Sequence, residues 1–565
     1  GLLGSRTEPG GLATSFHYDN AARLVRKTLP DRSRIDYTYD PASRVTGVGY
    51  SSSAASATTY QYDAAGRPVG ITDATGATSL EYDETGRLVA ETDGSGDELS
   101  YAYDAGGRLQ SISYPDAGKV SYAYDKANQM TSLTDWSGRV TTFGWTEDGE
   151  LSAQGTPNGV AEVDEYDAAG RVSTITAARG STQLAAFSYD YDDAGQLAHQ
   201  TSTFSGGESE STFSHDAVGQ LSGIERATGS ATTVVPATAT PAGLLVVADD
   251  GSTLAYNPAQ QITARHPVNG SDTTYAYDAN GARTKRVAAG SLPATTTYGY
   301  DAAGYLRQVT TPDAAVSYQT DSRGLRQVRQ DGTTTDQYLW STARTLPLLM
   351  ADNDNYYLYG PRSTPLAQID KASDQASYLH TDMLGSVRLS TDGSAQVLGE
   401  RTYTEFGSVL SAVGAIATVF GFTGNLTDPV TGLVHLRARD YDPETGQFVS
   451  VDPALDDTRQ PYAYASNNPV QFTDPTGLYT GDPVVDGIGG GLAYFAGLYD
   501  VITFGGFSAF ERWIDPGYDC FIETYKVSYD IGSGVGLFAT IALGAASAGK
   551  ALLSAFARDG GAAAV

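Results

Sequence analysis

The sequence is poor in the residues that build disulfides and metal centres. Its 565 residues include one cysteine, Cys520, and six histidines, none of which stands within four residues of another. An intramolecular disulfide is therefore impossible, and there is no local motif for a cysteine-rich or histidine-clustered metal site. We expect no metal and no cofactor, and we interpret Cys520 as an unreactive residue.

Basic residues are also scarce. Lys and Arg number 36 against 66 Asp and Glu, which gives a net charge of −30 at neutral pH. A chain this acidic repels nucleic acid and anionic lipid, so neither is expected as a bulk partner. The chain opens with Gly1-Leu2-Leu3-Gly4, without a Met or the basic start of a secretion signal. We interpret the sequence as a piece of a longer chain.

Helical patterns are missing from most of the sequence. No sustained helical periodicity runs between residues 14 and 330, whereas the chain holds 37 Tyr against 17 Phe and is punctuated by 64 Gly. Tyr is enriched in strands, and frequent Gly favours turns. Because 40% of the residues are hydrophobic, the chain has enough apolar material for a large core. These features predict an all-β fold.

A Tyr-Asp pair recurs along the chain in steps of mostly 20 to 25 residues. The fullest form is aromatic-x-Tyr-Asp-x-x-Gly-Arg-Leu, as in residues 101–109. Trp145-Thr146 and His215-Asp216 fill two gaps in phase, and Tyr256-Asn257 precedes the ninth pair. The pairs are Tyr18-Asp19, Tyr39-Asp40, Tyr62-Asp63, Tyr82-Asp83, Tyr103-Asp104, Tyr124-Asp125, Tyr166-Asp167, Tyr191-Asp192, Tyr277-Asp278 and Tyr300-Asp301.

Each unit has the chemistry of two short strands and two turns. Tyr-x-Tyr puts both rings on one face of a strand, and the Asp accepts backbone amides to begin a turn. The Gly supplies a positive φ, and the Arg after it can lie on a neighbouring Tyr ring. Successive units therefore predict one long, winding antiparallel sheet. We interpret the repeated Asp residues as turn formers, since a catalytic pair is not normally copied many times; exposed Tyr rings could also stack on sugars.

The units resemble the YD repeats of the Rhs family, which are also found in teneurins and in the C component of insecticidal Tc toxins. The resemblance implies a β-strip that spirals into a hollow shell. We therefore expect a YD-repeat spiral over residues 1–335, an Rhs-associated core over 336–478 and a mostly helical or irregular C-terminal segment over 479–565.

The core resemblance rests on an ordered set of motifs. Tyr378 to Ser386 resembles the family's "HxDxLGS" signature, and Asp474 to Leu478 resembles its "DPxGL" motif. Between them lie Gly421-Phe422-Thr423-Gly424, Arg437-Ala438-Arg439-Asp440-Tyr441-Asp442-Pro443, Phe448-Val449-Ser450-Val451-Asp452-Pro453 and Asn467-Asn468-Pro469.

The resemblance also implies a reaction. Relatives often cut themselves after the Leu of the "DPxGL" motif, in a reaction assigned to a pair of carboxylates. The matching residues here are Asp452 and Asp474, with Arg439 at the family's arginine. The implied scissile bond joins Leu478 to Tyr479.

Peptide hydrolysis by two carboxylates needs one ionised and one protonated group, and close carboxylates share a proton for this reason. Arg439 could hold one Asp ionised or stabilise developing negative charge. Gly477 allows close backbone approach, and Pro475 stiffens the chain before the cut.

Two alternatives to this dyad remain. Asp442 is a rival second carboxylate, and Asp-Pro-x-Gly is also an ordinary turn sequence, in which case Arg439 would be a salt-bridge partner. The chain departs from its relatives at Val451, where they usually carry Pro before the first Asp.

The segment 479–565 shifts abruptly towards Gly, Ala and Phe, and no nuclease, deaminase or transferase motif stands out in it. Part of it resembles a pre-toxin linker. Residues 531–549 carry no charge and are long enough for membrane contact, although small residues dominate them. We expect this segment to lie inside the shell as its cargo, with an immunity protein of unknown identity for any full-length toxin.

Three functions remain open at this point. The first is a secreted or cell-surface bacterial shell that encloses its own C-terminal segment and releases it by a single self-cleavage. The second is a surface module that binds glycans or other cells without proteolysis. The third, a glycan hydrolase acting through an Asp/Glu pair, lacks a recognisable cleft motif.

Overall fold

The computed structural model describes residues 2–7, 11, 13–51, 57–229, 231–236, 240, 244–291 and 293–478. The chain divides into two compact units, 1–510 and 511–565, and all described residues lie in the first. The expectations for Tyr479, Cys520 and residues 531–549 therefore fall outside the described residues.

The first sheet is a meander of 22 strands, each antiparallel to the next along the chain. Its strands are β1 Ser5–Thr7, β2 Ala13–Tyr18, β3 Leu24–Thr28, β4 Arg34–Tyr39, β5 Val45–Tyr50, β6 Thr58–Tyr62, β7 Pro68–Asp73, β8 Gly76–Tyr82, β9 Leu88–Thr92, β10 Glu98–Tyr103, β11 Leu109–Tyr114, β12 Gly118–Tyr124, β13 Met130–Thr134, β14 Val140–Trp145, β15 Leu151–Gly155, β16 Val160–Tyr166, β17 Val172–Arg179, β18 Thr182–Tyr191, β19 Leu197–Phe204, β20 Gly207–His215, β21 Leu221–Thr228 and β22 Ala231–Val235.

The repeat unit forms the predicted hairpin turn. At the third Tyr-Asp pair, Asp63 accepts the Arg67 amide at 2.9 Å and the Arg67 Nε at 2.7 Å, while Gly66 takes φ +90°. Burial alone would raise the pKa of Asp63, but these hydrogen bonds hold it below its usual value.

The same arginine reaches the next repeat. The guanidinium of Arg67 lies 4.7 Å from the ring centre of Tyr82 and donates to the Asp83 carbonyl at 3.3 Å. The stacking of Arg on Tyr that the sequence predicts is therefore confirmed, and it links each turn to the following one. The same stacking is formed by Arg23–Tyr39, Arg44–Tyr62, Arg87–Tyr103, Arg108–Tyr124 and Arg171–Tyr191.

Three smaller antiparallel sheets follow. The second has nine strands: β23 Thr253–Tyr256, β24 Ile262–His266, β25 Thr273–Tyr277, β26 Arg283–Ala288, β27 Ala294–Tyr300, β28 Leu306–Thr310, β29 Ala315–Thr320, β30 Arg326–Asp331 and β31 Thr334–Gln337. The third has eight: β32 Leu339–Ser341, β33 Leu348–Ala351, β34 Asn355–Leu358, β35 Ala367–Asp370, β36 Ala376–Thr381, β37 Val387–Thr391, β38 Val397–Tyr403 and β39 Val409–Gly414. The fourth has four: β40 Leu426–Thr427, β41 Val434–His435, β42 Asp440–Asp442 and β43 Gln447–Phe448.

Helix is confined to single turns within the described residues. They are the α-helical turn α1 at Leu455–Thr458 and the 3-10 turns Phe422–Gly424 and Ala465–Asn467. None of the described helices is long and apolar enough to cross a membrane. The all-β fold class is confirmed.

Among the described residues the repeats form two ladders. Pairing runs through β22 and resumes at β23, across the stretch where the sequence pattern is weakest and where residues 237–239 and 241–243 lie outside the description. Between β31 and β32 the chain passes from the second sheet to the third. The domain boundary expected at residue 335 stays a prediction. The first and third sheets share one core, in which the Tyr101 hydroxyl bonds to Ser341 at 2.8 Å.

Candidate functional site

The structure brings the three predicted site residues together. Arg439 immediately precedes β42, Asp452 precedes α1, and Asp474 begins the turn that leads to Leu478. One nitrogen of Arg439, Nη2, lies 3.5 Å from Asp452 Oδ2 and 3.3 Å from Asp474 Oδ2. All three side chains are nearly excluded from solvent, at 2–3% exposure. A single guanidinium therefore holds two buried carboxylates side by side.

Two further contacts, besides the carboxylates, fix Arg439. Its guanidinium carbon lies 3.6 Å from the ring centre of Phe448, and its Nε donates to the Gly477 carbonyl. Its remaining nitrogen, Nη1, is buried and has no hydrogen-bond acceptor within the described part of the chain. A buried N–H group without an acceptor is costly, so this nitrogen is prepared for one more negative or polar atom.

Asp452 is held by short hydrogen bonds from its own loop. Its Oδ1 accepts the Ala454 amide at 2.8 Å, and its Oδ2 accepts the Thr458 hydroxyl at 2.7 Å. The Asp452 amide donates to the Pro461 carbonyl at 2.9 Å and closes the loop. Three donors, including Arg439, therefore surround this carboxylate.

Asp474 binds the residue before the predicted cut. Its Oδ1 accepts the Leu478 amide at 3.0 Å and the Thr476 hydroxyl at 3.3 Å. Gly477, at φ +70°, brings the chain so close that a Cβ there would lie 2.6 Å from the Leu436 carbonyl. The predicted role of Gly477 in close approach is consistent with this geometry. Leu478 is 1% exposed, and its partner across the bond, Tyr479, lies outside the described residues.

Pro475, the other predicted supporting residue, contributes its carbonyl to the site. The Arg437 guanidinium donates to that carbonyl, to the Asn425 side chain at 3.1 Å and to the Pro347 carbonyl at 2.7 Å. The turn before the predicted cut is therefore tied to the third and fourth sheets.

Asp452 borders a cavity of about 920 Å³. Its wall combines strands of the first sheet, turns of the second sheet and the loop after Asp452. Val451, where relatives usually carry Pro, also lines it. The wall includes Tyr37, Tyr60, Tyr298, Val451, Asp452 and Pro461. A cavity of this size, whose wall includes polar side chains, has room for water next to Asp452.

The rival carboxylate, Asp442, has a different partner. Its Oδ2 lies 2.5 Å from Arg283 Nη1 and 2.9 Å from the Thr445 hydroxyl. Arg283 is fully buried, so Asp442 neutralises a charge that belongs to the second sheet. This geometry favours a structural role for Asp442 and leaves Asp474 as the carboxylate that shares Arg439 with Asp452.

Sequence reasoning missed this pairing of buried arginines with the core. Arg326 Nη2 lies 2.6 Å from Asp440, and Arg329 Nε lies 2.8 Å from Asp428. Burial alone would raise the pKa of Asp440, but the charge of Arg326 holds it below its usual value. A signal was present, because Arg283 and Arg326 stand one residue after the usual arginine position, where most other units carry a buried aliphatic residue.

These features define an all-β repeat protein with two parts. The tyrosine–aspartate repeats of β1 to β31, here called the strip, form ion pairs with the core, residues 336–478, which holds the paired carboxylates. Comparison with protein families matches the teneurin YD-shell family over residues 11–96, 58–224 and 159–480. The chain belongs to this family.

Individual relatives match shorter stretches. The tRNA3(Ser)-specific nuclease WapA of Bacillus spizizenii is 28% identical over 240 residues, which are 40% of this chain and 10% of WapA. Toxin protein Tse5 of Pseudomonas aeruginosa is 35% identical over 103 residues, which are 18% of this chain and 8% of Tse5. The crystal structure of TcdB2-TccC3 matches with a TM-score of 0.62 and 17% identity, over 85% of this chain and 29% of that one. The chain thus spans less than a third of these proteins.

Proposed function

We propose that this chain is part of a toxin-type YD shell that encloses its own C-terminal segment and releases it by one self-cleavage. The bond cut is the one between Leu478 and Tyr479, and the cargo is residues 479–565. Family membership and the similarity to proteins named as toxins or nucleases support this reading. A secreted or cell-surface location in a bacterium accords with it.

The observation that carries the proposal is the shared guanidinium. Asp452 and Asp474 face the same nitrogen of Arg439, and Asp474 also holds the amide of Leu478. We infer that two carboxylates facing one nitrogen share one proton, which would supply one base and one acid at mildly acidic to neutral pH.

The surroundings of the two carboxylates support a different role for each. Arg439 Nη2 lies 3.5 Å from Asp452 and 3.3 Å from Asp474. The other donors on Asp452 lie at 2.7 and 2.8 Å, whereas the Leu478 amide and the Thr476 hydroxyl lie 3.0 and 3.3 Å from Asp474, and this difference supports the ionised form at Asp452. Asp452 also borders the cavity, where water is available. Asp452 is therefore the base and Asp474 the acid.

The chemistry then proceeds in two steps. Water adds to the Leu478 carbonyl carbon while Asp452 takes a water proton and Asp474 gives its proton to the carbonyl oxygen. When the C–N bond breaks, the Tyr479 nitrogen takes the proton held by Asp452, and Asp474 regains a proton from the hydroxyl. The products are a Leu478 carboxyl group and a new amino terminus. The Nη1 of Arg439, which has no acceptor among residues up to 478 that the structure describes, is suited to stabilise negative charge that develops nearby.

Mass spectrometry of the denatured protein tests this proposal. Wild type should give two masses that meet at Leu478–Tyr479, whereas Asp452→Asn and Asp474→Asn should each give one intact mass. Asp442→Asn is the matched carboxylate control and should still be cut. A wild-type chain that stays whole between about pH 4 and 8, where a carboxylate pair shares a proton, would refute self-cleavage and favour the glycan- or cell-binding function.

A further inference from the structure

Thr458, the last residue of α1, touches the dyad without being predicted as part of it. Its hydroxyl lies 2.7 Å from Asp452 Oδ2 and 3.4 Å from the Ala454 carbonyl. A hydroxyl has one proton to donate, and the shorter contact takes it. The Thr458 oxygen in turn lies 3.5 Å from the Gln460 amide, at the limit of a hydrogen bond. The hydroxyl is thus oriented towards the carboxylate.

The oxygen that accepts Thr458 is the one that faces Arg439. Asp452 Oδ2 lies 3.5 Å from Arg439 Nη2, which is long for a strong charge-assisted contact. The Thr458 hydroxyl is therefore the closest donor to this oxygen among the described contacts. Without it, Oδ2 would lose the shortest of its described contacts, and the carboxylate could rotate or take up the shared proton more readily.

We propose that Thr458 is a positioning residue that keeps Asp452 ionised and oriented as the base of the self-cleavage reaction. This inference rests on the proposed function. A hydrogen bond donated to a carboxylate favours its ionised form, so Thr458 extends the activity of the base to lower pH. It acts through Asp452 and does not contact the scissile bond.

Other charges near Asp452 are the same in every Thr458 variant, so their effects cancel in the comparison. Arg439 and Asp474 face it directly. The ionisable residues that share its cavity wall, apart from tyrosines, are Arg6, Lys27, Asp31, Asp278, Asp301 and Arg459.

The test follows the rate of self-cleavage against pH. Full-length chain is made by cell-free translation, diluted into buffers from pH 3 to 8, and sampled by mass spectrometry. The variants are Thr458→Val, which replaces the hydroxyl by a methyl, and the pair Thr458→Ser and Thr458→Ala, which differ only in the hydroxyl. Thr445→Val is the matched control, because it removes the same kind of bond from Asp442.

Thr458→Val and Thr458→Ala should cut about tenfold or more slowly near pH 5, with the acid limb of the profile moved up by about one to two pH units. Thr458→Ser and Thr445→Val should keep the wild-type midpoint. The proposal would be overturned if Thr458→Val and Thr458→Ala cut more slowly but kept the wild-type midpoint of the pH profile. It would also be overturned if both variants failed to fold while Thr458→Ser folded. An uncut wild type would instead refute the proposed function itself. If wild type is cut and Asp452→Asn is not, self-cleavage stands, and the Thr458 variants then test the positioning role alone.

Discussion

The repeat unit occurs in two versions that place arginine in opposite surroundings. In the common version, as at Arg67, the guanidinium lies half-exposed over the next Tyr and closes its own turn. At Arg283 and Arg326 the arginine stands one residue later and points into the core, fully buried against Asp442 and Asp440. A one-residue shift on a strand moves a side chain to the opposite face. The same sequence unit therefore either extends the strip or docks it onto the core.

The two versions differ in what their loss should cost. A half-exposed ion pair stabilises a protein by about 0–1 kcal/mol. Removing one partner of a buried pair leaves an uncompensated charge and costs about 3–5 kcal/mol. The core should therefore be sensitive to single changes that the strip tolerates.

The largest effect is expected from Arg283→Leu, which restores the aliphatic residue of the common unit. Asp442 would be left buried without its partner, so the free energy of unfolding should fall by about 3–5 kcal/mol. Thermal and urea unfolding measure this. The double variant Arg283→Leu/Asp442→Asn should recover much of the loss; a double variant as unstable as the sum of the single ones would show that the pair is not coupled.

The next effect concerns the turn before the cut. Gly477→Ala places a Cβ 2.6 Å from the Leu436 carbonyl at φ +70°, so the turn must shift and the cut fraction measured by mass should fall at least tenfold. Gly432 is a matched control at φ +72° with open space around it. Gly432→Ala should cost only about 1–2 kcal/mol of backbone strain and leave cleavage unchanged. Equal loss of cleavage in both variants would assign the effect to strain alone.

A smaller effect is expected from a carboxyl group where the strip meets the core. Burial and the charge of Glu405 raise the pKa of Asp249 to about 6, from an ordinary value of 3.8. The folded protein therefore takes up a proton before the unfolded chain does, so this group adds stability as the pH falls from about 6 to about 4.

As the pH is lowered from 7 to 4.5, the free energy of unfolding of wild type should accordingly rise by about 1–2 kcal/mol relative to that of Asp249→Asn. Urea unfolding measures this difference. The neighbouring Asp250→Asn, a change at a more exposed carboxylate, is the control. A constant difference between wild type and Asp249→Asn across this range would contradict the prediction.

The smallest effect is expected in the strip. Arg67→Ala removes a half-exposed ion pair with Asp63 and a stacking contact with Tyr82, so the free energy of unfolding should fall by about 1 kcal/mol. Because Arg67 also contacts the next repeat, hydrogen exchange should speed up at Tyr82 and Asp83 as well as at its own turn. Lys119→Ala, at an exposed lysine of β12, is the control and should change neither. A loss as large as that of Arg283→Leu would abolish the distinction between the two versions.

Much of this architecture could be predicted from the sequence because its determinants are local. The Asp, Gly and Arg of each turn and the Tyr of the next unit are fixed by spacing, and the structure confirms the hairpins and the stacking. Arg439, Asp452 and Asp474 were identified through family motifs, since their 35-residue span contains no local signal that they meet.

The missed features depend on contacts between distant segments. Arg283 and Asp442 are 159 residues apart, and the sequence around either residue does not indicate its partner. Thr458 was missed because a threonine in a short loop is common and its partner is revealed only by the closed loop. The break after β22 was recognisable only as a weak stretch of the repeat.

The two buried arginines also restrict how the gene can change. Asp440 and Asp442 stand on one face of β42, while their partners begin β26 and β30, four strands apart. Gaining or losing one hairpin between those strands would carry one arginine away from its carboxylate. Repeat arrays commonly grow and shrink by recombination between similar units, and such events between Arg283 and Arg326 would be selected against. Length variation among close homologues should therefore fall outside this interval.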